Sequence, residues 1–242
     1  MRSAPNLIVL IPALNEEGAI AGVVRSVRER MPGVPVLVID DHSDDGTAEA
    51  AELAGARVLR LPIHLGLGGC VQTGYKLAFE LGFEYVIRVD GDGQHETNDI
   101  PKILAVLMES GVEFVIGSRF MPPAQQYTSV ARSAGIKFFR LILRPILGRR
   151  IYDPTSGFVG VNRRALQVFA GTFPLEYPEI EALVVLQRKR FRFLEVSSHA
   201  HPRRTGKSSI TSLASFRYML HVVLGVFVNV LRFDGAPQRG EK

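Results

Sequence analysis

Short apolar runs rich in β-branched residues alternate with helical patterns over the first 120 residues of the chain. Most of these runs are continuously apolar, as expected of parallel strands that are covered on both faces. The alternation therefore predicts an α/β fold, a mostly parallel open sheet with helices on both faces. The predicted strands are Leu7–Ile11, Val34–Ile39, Arg57–Leu61, Glu84–Val89 and Glu113–Gly117, and the predicted helices lie near residues 16–30, 45–54, 67–81 and 98–110.

Polar residues and glycines follow each predicted strand. The turns read PALNEE (12–17), DDHSDDGT (40–47), HLGLGG (64–69), DGDGQH (90–95) and GSR (117–119). The carboxyl ends of the strands meet at one edge of an open α/β sheet, and ligands bind there. Five such turns in succession favour a ligand site over five unrelated loops.

The turn at 90–95 carries two carboxylates, Asp90 and Asp92, separated by one glycine. Such a pair can place one carboxylate on a divalent cation and the other on a hydroxyl such as that of a ribose. Mg²⁺ and Mn²⁺ prefer oxygen ligands and often share them with substrate phosphates. Gly91 and Gly93 allow the backbone to approach a ligand closely. The alternative is a simple polar turn between a strand and a helix.

The glycines at 66–69 match only part of a dinucleotide-binding fingerprint. The sixth position of that pattern is occupied by Val71, and the cluster follows the third strand and not the first. A partial match of this kind is weak evidence. A dehydrogenase is therefore disfavoured, and a tight turn that opens a helix explains the glycines equally well.

Charge is divided unevenly along the chain. Residues 1–120 carry 10 Lys and Arg against 17 Asp and Glu, whereas residues 121–242 carry 19 against 7. Carboxylates of the first half are suited to a cation, and arginines of the second half to phosphate or to an anionic surface. A merely uneven spread of charge is the alternative. No nucleic-acid-binding motif accompanies the basic residues, so no nucleic-acid partner is predicted.

Two amphipathic stretches indicate contact with a membrane surface. Residues 137–150 are basic and helix-like, and Pro145 is predicted to kink or end that helix. Met219–Leu231 is mostly apolar but shorter than the roughly 18 residues needed to span a bilayer. It suits an interfacial helix, a partner-binding helix or a core helix. We expect a main domain at 1–208, a C-terminal amphipathic helix at 209–233 and a flexible tail at 234–242. The single cysteine, Cys70, excludes a disulfide within the chain and fits a reducing compartment.

Six motifs in a fixed order carry a resemblance to a known family. The motifs LIPALNEE, VIDDHSDDGT, HLGLGGCVQTGY, RVDGDGQH, GSRF and DPTSGF resemble those of family 2 glycosyltransferases, and the resemblance covers roughly residues 6–207. The most similar branch is that of the dolichyl- and polyprenyl-phosphate sugar synthases, such as dolichyl-phosphate mannose synthase. The resemblance implies a GT-A fold, a GDP- or UDP-linked sugar donor, inversion at the sugar carbon, and Mg²⁺ or Mn²⁺ as cofactor.

The resemblance also implies roles for individual residues. Asp92, Arg119 and Arg203 would carry the chemistry, and Asp92 and Gln94 would bind the metal. A larger set, which includes these four residues, would contact the nucleotide, its phosphates or the metal. These contacts are Pro12, Leu14, Glu16, Asp41, Asp90, Gly91, Asp92, Gln94, Arg119, Arg203 and Lys207.

The acceptor separates the functional hypotheses. The leading one is transfer of a sugar to a polyprenyl phosphate at the cytoplasmic face of the membrane, with a small membrane protein as an optional partner. A phosphate monoester needs little help from a general base, whereas a sugar hydroxyl needs one. In the second hypothesis, a glycan-elongating enzyme, Glu176, Glu179 and Glu181 are the candidate bases. The third hypothesis is a non-enzymatic, nucleotide-binding membrane scaffold.

Overall fold

The computed structural model describes residues 6–122 and 130–201, with the side chains of residues 130–134 left aside. Five sequence predictions lie outside the described residues. They are Arg203, Lys207, the domain boundary at 208, the C-terminal helix at 209–233 and the tail at 234–242.

Seven strands form one sheet in the order β3-β2-β1-β4-β6-β5-β7. All pairings are parallel except those of β6, which runs antiparallel to both β4 and β5. The predicted mostly parallel sheet is thereby confirmed. The strands are β1 Leu7–Ala13, β2 Val36–Asp40, β3 Arg57–Arg60, β4 Tyr85–Arg88, β5 Phe114–Ser118, β6 Val159–Asn162 and β7 Phe193–Ser197.

Helices cover both faces of this sheet, as predicted. Residues alternate between the two faces along β1, so that Val9 and Ile11 join the core beneath α1, α2 and α4, whereas Ile8 and Leu10 join the core beneath α3, α5, α6 and α7. The helices are α1 Glu17–Arg30, α2 Thr47–Leu53, α3 Gly66–Glu80, α4 Ile100–Glu109, α5 Val130–Leu147, α6 Arg163–Gly171 and α7 Pro178–Arg188.

The five predicted strands and four predicted helices all form, with ends displaced by at most two residues. Strands β6 and β7 were not predicted. The four residues of β6, VGVN, contain a glycine and show no alternation of polar and apolar residues. Gly160 is required there because a side chain would collide with Ile103 of α4. A short strand buried on both faces leaves a weak signal in the sequence.

Of the two predicted effects of Pro145, a kink or an end of the basic helix, the end was wrong. Helix α5 continues past Pro145 and ends at Leu147. Gly148 follows with a φ of +65°, the left-handed conformation that commonly terminates helices. Among the described helices, none combines the length and the apolarity needed to cross a bilayer.

Candidate active site

The turns after β1 and β2 are fastened to each other. The backbone N–H of Asn15 donates to Ser43 Oγ at 2.9 Å, and the Asn15 side chain accepts from the N–H of Asp44 at 2.9 Å. The N–H of Glu16 donates to Thr47 Oγ1 at 2.8 Å. Asn15 adopts a φ of +54°, a conformation that asparagine tolerates better than most residues. These contacts give the two motifs one fixed relative position at the sheet edge.

A pocket of about 220 Å³ opens where the strand order changes direction, between β1 and β4. Seven residues predicted from the sequence line it: Pro12, Leu14, Glu16, Asp41, Asp90, Gly91 and Asp92. Four further residues complete the lining: Ala13, His64, Leu67 and Cys70. The structure therefore gathers most of the predicted nucleotide contacts around one cavity. Gln94 and Arg119 are not among the lining residues.

Asp41 lines this pocket, and two contacts fix the orientation of its carboxylate. The side chain is 4% exposed. Its Oδ1 accepts the backbone N–H of Leu65 at 2.7 Å, and its Oδ2 lies 2.9 Å from His64 Nδ1. The imidazole of His64 is half exposed at the mouth of the pocket. Asp41 and His64 together present a polar edge of the kind that recognises the donors and acceptors of a nucleobase or ribose.

Asp92 lies in the turn that follows β4. Its Oδ1 accepts the N–H of Gln94 at 3.0 Å, and Oδ2 has no hydrogen-bond partner among the described residues. Gly93, between them, adopts a φ of +73° that most side chains would disfavour. Within the described ranges, no group of three His, Cys, Asp or Glu side chains is arranged to hold a metal ion. A lone carboxylate with a neighbouring amide suits Mg²⁺ or Mn²⁺, which commonly take one or two protein oxygens and share the rest with phosphates.

Asp90 is held by two nitrogen donors at the base of the pocket. Its Oδ2 lies 2.9 Å from His95 Nε2, and its Oδ1 accepts from Arg88 Nη2 at 3.3 Å. Burial raises the pKa of Asp90, but Arg88 and then His95 outweigh it and hold the pKa well below its usual range. Asp90 is therefore an ionised carboxylate at neutral pH, and it is 32% exposed.

Arg88 is buried at the end of β4 and lies between two carboxylates. The same Nη2 that contacts Asp90 donates to Glu179 Oε1 at 2.5 Å. Glu179 belongs to the first turn of α7 and is 17% exposed. The Arg88 Nε is buried and has no hydrogen-bond partner within the described part of the chain. One of the three candidate bases is thus already committed to an arginine.

Arg119 is bound to the DPTSGF turn and does not line the pocket. Its Nε donates to Asp153 Oδ2 at 2.7 Å and its Nη2 to Asp153 Oδ1 at 2.9 Å, a bidentate pair with both side chains buried. Nη2 also donates to the backbone oxygen of Thr155 at 3.2 Å. This guanidinium fastens the end of β5 to the turn before β6.

The last described residues are anchored beside the carboxylate turn. The N–H of His201 donates to the backbone oxygen of Gln94 at 2.8 Å, and His201 Nε2 lies 2.8 Å from Glu96 Oε2. The hydroxyl of Ser198 and the N–H of His199 both donate to Asp99 Oδ2. Residues 198–201 are thus fixed next to the predicted metal ligands.

Comparison with known proteins settles the family. The family model for glycosyl transferase family 2 matches residues 8–169, two thirds of the chain. The chain belongs to glycosyltransferase family 2. The match contains every described residue of the pocket.

Relatives and a solved structure agree with this assignment. This glycosyltransferase is 27% identical over 213 residues to the UDP-N-acetylglucosamine–dolichyl-phosphate N-acetylglucosaminyltransferase of Methanococcus voltae, covering 78% of the chain and 83% of the relative. It is 30% identical over 174 residues to the polyprenol monophosphomannose synthase of Mycolicibacterium smegmatis, covering 69% and 65%.

The solved structure is glucosyl-3-phosphoglycerate synthase from Mycobacterium tuberculosis, in complex with Mn²⁺, UDP and glucosyl-3-phosphoglycerate. It superposes with a TM-score of 0.69 at 22% identity, covering 94% of this chain and 80% of that one. The seven-stranded, mostly parallel sheet of this glycosyltransferase therefore matches the GT-A fold.

Several residues of the site escaped the sequence predictions. His64 stood in a turn already recognised, but a lone histidine carries no specific signal. Arg88 lies inside a strand, where an arginine is unusual among apolar neighbours. The arginine in an otherwise apolar strand was the feature of the sequence that could have marked Arg88 as a site residue. The role of Gly157 depends on three-dimensional packing, because a Cβ there would lie 2.6 Å from Arg88 Nη2 and would also meet Asp90.

Proposed function

We propose that this glycosyltransferase catalyses inverting, metal-dependent transfer of a sugar from a nucleotide-diphospho-sugar to a polyprenyl phosphate at the cytoplasmic face of the membrane. Two relatives whose names specify a dolichyl phosphate or a polyprenol product support the acceptor class. The pocket at the switch point supports the donor class, because nucleotides bind there in open α/β sheets. The small membrane protein partner is not part of the proposal.

The donor side of the proposal follows from the pocket lining. Pro12, Leu14 and Glu16 would bound the nucleoside, and Asp41 with His64 would bind its polar edge. Asp92 and Gln94 would hold Mg²⁺ or Mn²⁺, which supplies charge neutralisation for the diphosphate leaving group when bound. Arg203 and Lys207 stay predictions as phosphate contacts. For Arg119 we propose a positioning role, since a direct phosphate contact requires breaking its pair with Asp153.

The state of Glu179 is the observation that carries the choice of acceptor. A hydroxyl acceptor needs a base to take its proton, and Glu179 is bound to the buried Arg88. Glu181 in the same helix is 6% exposed, so it too is withdrawn from an acceptor. A phosphate monoester is already an anionic nucleophile and needs no such base. The helix end therefore favours a phosphate acceptor, because a sugar hydroxyl would have to rely on Glu176, the exposed third candidate base that precedes the helix.

The exposed face of α5 supports a peripheral membrane position. Leu141 is 72% exposed and Phe138 is 37% exposed, and Lys137 and Arg144 of the same helix are exposed cations. Apolar side chains flanked by cations suit the interface of a membrane with anionic headgroups. This face would hold the enzyme at the bilayer in which a polyprenyl phosphate resides.

The test is turnover with defined substrates. Purified protein is incubated with undecaprenyl phosphate, Mn²⁺ or Mg²⁺, and a panel of UDP- and GDP-sugars, and lipid products are identified by mass spectrometry. We expect one lipid-linked monosaccharide whose anomeric configuration, measured by NMR, is opposite to that of the donor. Transfer to glycan hydroxyls with no lipid product contradicts the acceptor assignment. Nucleotide binding without any transfer supports the scaffold hypothesis instead.

A further inference from the structure

We propose that Arg88 is a positioning residue that couples the donor pocket to the acceptor side through its two carboxylate partners, Asp90 and Glu179. The inference rests on the proposed function, in which Asp90 belongs to the nucleotide pocket, and it adds that the start of α7 faces the acceptor. A single buried nitrogen, Arg88 Nη2, touches both carboxylates. Movement of either carboxylate is therefore transmitted to the other.

The local energetics indicate that Arg88 is retained for something other than stability. The side chain is 3% exposed and lies beside the apolar Tyr75, Phe114 and Ile116. Its Nε has no hydrogen-bond partner among the described residues. Burying a charge is unfavourable, and well-packed apolar residues often replace buried ion pairs without loss of stability. A residue that violates local packing rules in this way commonly belongs to a functional site.

Electrostatic repulsion explains why both carboxylates require Arg88. Without the guanidinium, Asp90 and Glu179 would be like charges near each other in a largely buried space, and like charges disfavour each other's ionised form. Asp90 would keep only His95 as a partner. Arg88 thus fixes the position of a pocket carboxylate and, with the same atom, the position of the first turn of α7.

The packing around Gly157 independently supports the arrangement of Arg88 and Asp90. A Cβ at position 157 would lie 2.6 Å from Arg88 Nη2 and would contact both carboxylate oxygens of Asp90. The glycine of the DPTSGF motif therefore leaves the space that the pair occupies. Substitution by alanine perturbs the geometry of the pair while every charge stays in place.

The experiment compares E179Q, R88M, R88K, G157A and the double variant R88M/E179Q with wild type, and uses R164M as a matched control. Arg164 also pairs with a buried glutamate, Glu113, but lies outside the residues that line the pocket. Thermal melting first establishes that each variant is folded. Calorimetry then measures the Kd of UDP and of GDP with Mn²⁺, and steady-state assays with undecaprenyl phosphate give kcat and the KM of the acceptor.

We expect R88M and G157A to weaken nucleotide binding by about tenfold or more, because Asp90 loses its fixed position. E179Q should raise the acceptor KM or lower kcat by about tenfold. It should also weaken nucleotide binding by about threefold to fivefold, less than R88M does, because Arg88 remains to hold Asp90. Adding E179Q to R88M should have little further effect, since the two residues act as one unit. R88K should recover much of the lost nucleotide affinity because it restores the charge.

Two outcomes overturn the inference. In one, folded E179Q and G157A keep all constants within about twofold of wild type, as R164M does. In the other, the effects of R88M and E179Q on turnover are additive. If R88M does not fold, G157A and E179Q decide the question. Failure of wild type to bind any nucleoside diphosphate contradicts the proposed function itself and is recognised before any variant is compared.

Discussion

Arg88 and Arg119 are both buried arginines at the ends of sheet strands, and both meet carboxylates, yet their surroundings differ. Arg119 forms a bidentate pair with Asp153 and adds bonds to Thr155, so its donors converge on one turn. Arg88 divides a single nitrogen between Asp90 and Glu179, and its Nε has no partner in the described structure. The bidentate arrangement of Arg119 is suited to holding a loop. The arrangement of Arg88, which shares one nitrogen between two carboxylates, is suited to linking two parts of a site.

The largest effect on stability is expected from breaking the bidentate pair of Arg119 and Asp153. D153A leaves the Arg119 charge buried and uncompensated, and we expect the free energy of unfolding to fall by about 3–5 kcal/mol. Urea denaturation monitored by circular dichroism measures this loss. A decrease below about 1 kcal/mol would show that Arg119 finds other partners.

Replacing Arg88 should affect nucleotide binding more than stability, the reverse of what we expect for D153A. We expect R88M to lower the free energy of unfolding by about 1–3 kcal/mol, less than D153A, since Asp90 and Glu179 are partly solvated. Its nucleotide affinity should nevertheless fall more than that of folded D153A. Equal losses of affinity in the two variants would remove the distinction between the two arginines.

Replacing Asp92, the predicted metal ligand, tests the pocket independently of both arginine pairs. In D92N the neutral amide binds Mn²⁺ poorly, so the rise in Tm that UDP with Mn²⁺ gives to the wild type should largely disappear. Stability without ligand should change by less than about 0.5 kcal/mol, because this partly exposed side chain packs little. A full ligand-induced rise in Tm would contradict the assignment of Asp92.

Acid titration tests the electrostatic side of the Arg88 pair. The pKa of Asp90 is lower in the folded protein than its ordinary value of 3.8. Its contribution to stability is therefore present above the unfolded-state pKa and is lost as the pH falls through the folded-state value. Unfolding free energies from pH 5 downward should decline more steeply for wild type than for D90N. Parallel curves would show that Asp90 gains nothing from Arg88 and His95.

The smallest expected signal comes from Cys70, on the wall of the pocket. Burial, with a smaller contribution from Asp41, raises the pKa of this thiol to about 12, and the thiol donates to the backbone oxygen of Ile39. Iodoacetamide at pH 8 should leave it unmodified in wild type and in folded R88M, as measured by mass spectrometry. Labelling of R88M alone would mean that the arginine supports the pocket wall as well as the site.

The sequence predicted the first half of the fold well because its strands and helices have strong, separate periodicities. The strand ends were also informative, since five polar turns had to meet at one edge whatever the details of packing. The antiparallel strand β6 was missed because the four residues VGVN give no alternating pattern.

What the sequence left out of the site has a common origin. Motif resemblance named Arg119 as a phosphate contact, and it could not indicate Asp153, because the carboxylate that an arginine meets depends on chain segments distant in sequence. Asp153 lies 34 positions away from Arg119, and Glu179 lies 91 positions away from Arg88. Such partners follow from the packing of the whole sheet and have no local signature.

The position of β6 between β4 and β5 constrains the order in which this chain can fold. Strands β1 to β4 can pair with one another once residues 7–88 have been synthesised, whereas β5 has to wait for residues 159–162 before it can join the sheet. During that interval the apolar run Phe114–Ser118 has no neighbouring strand, and late pairing between distant segments slows folding. We therefore expect β5 to be the segment of the sheet most exposed to aggregation during synthesis.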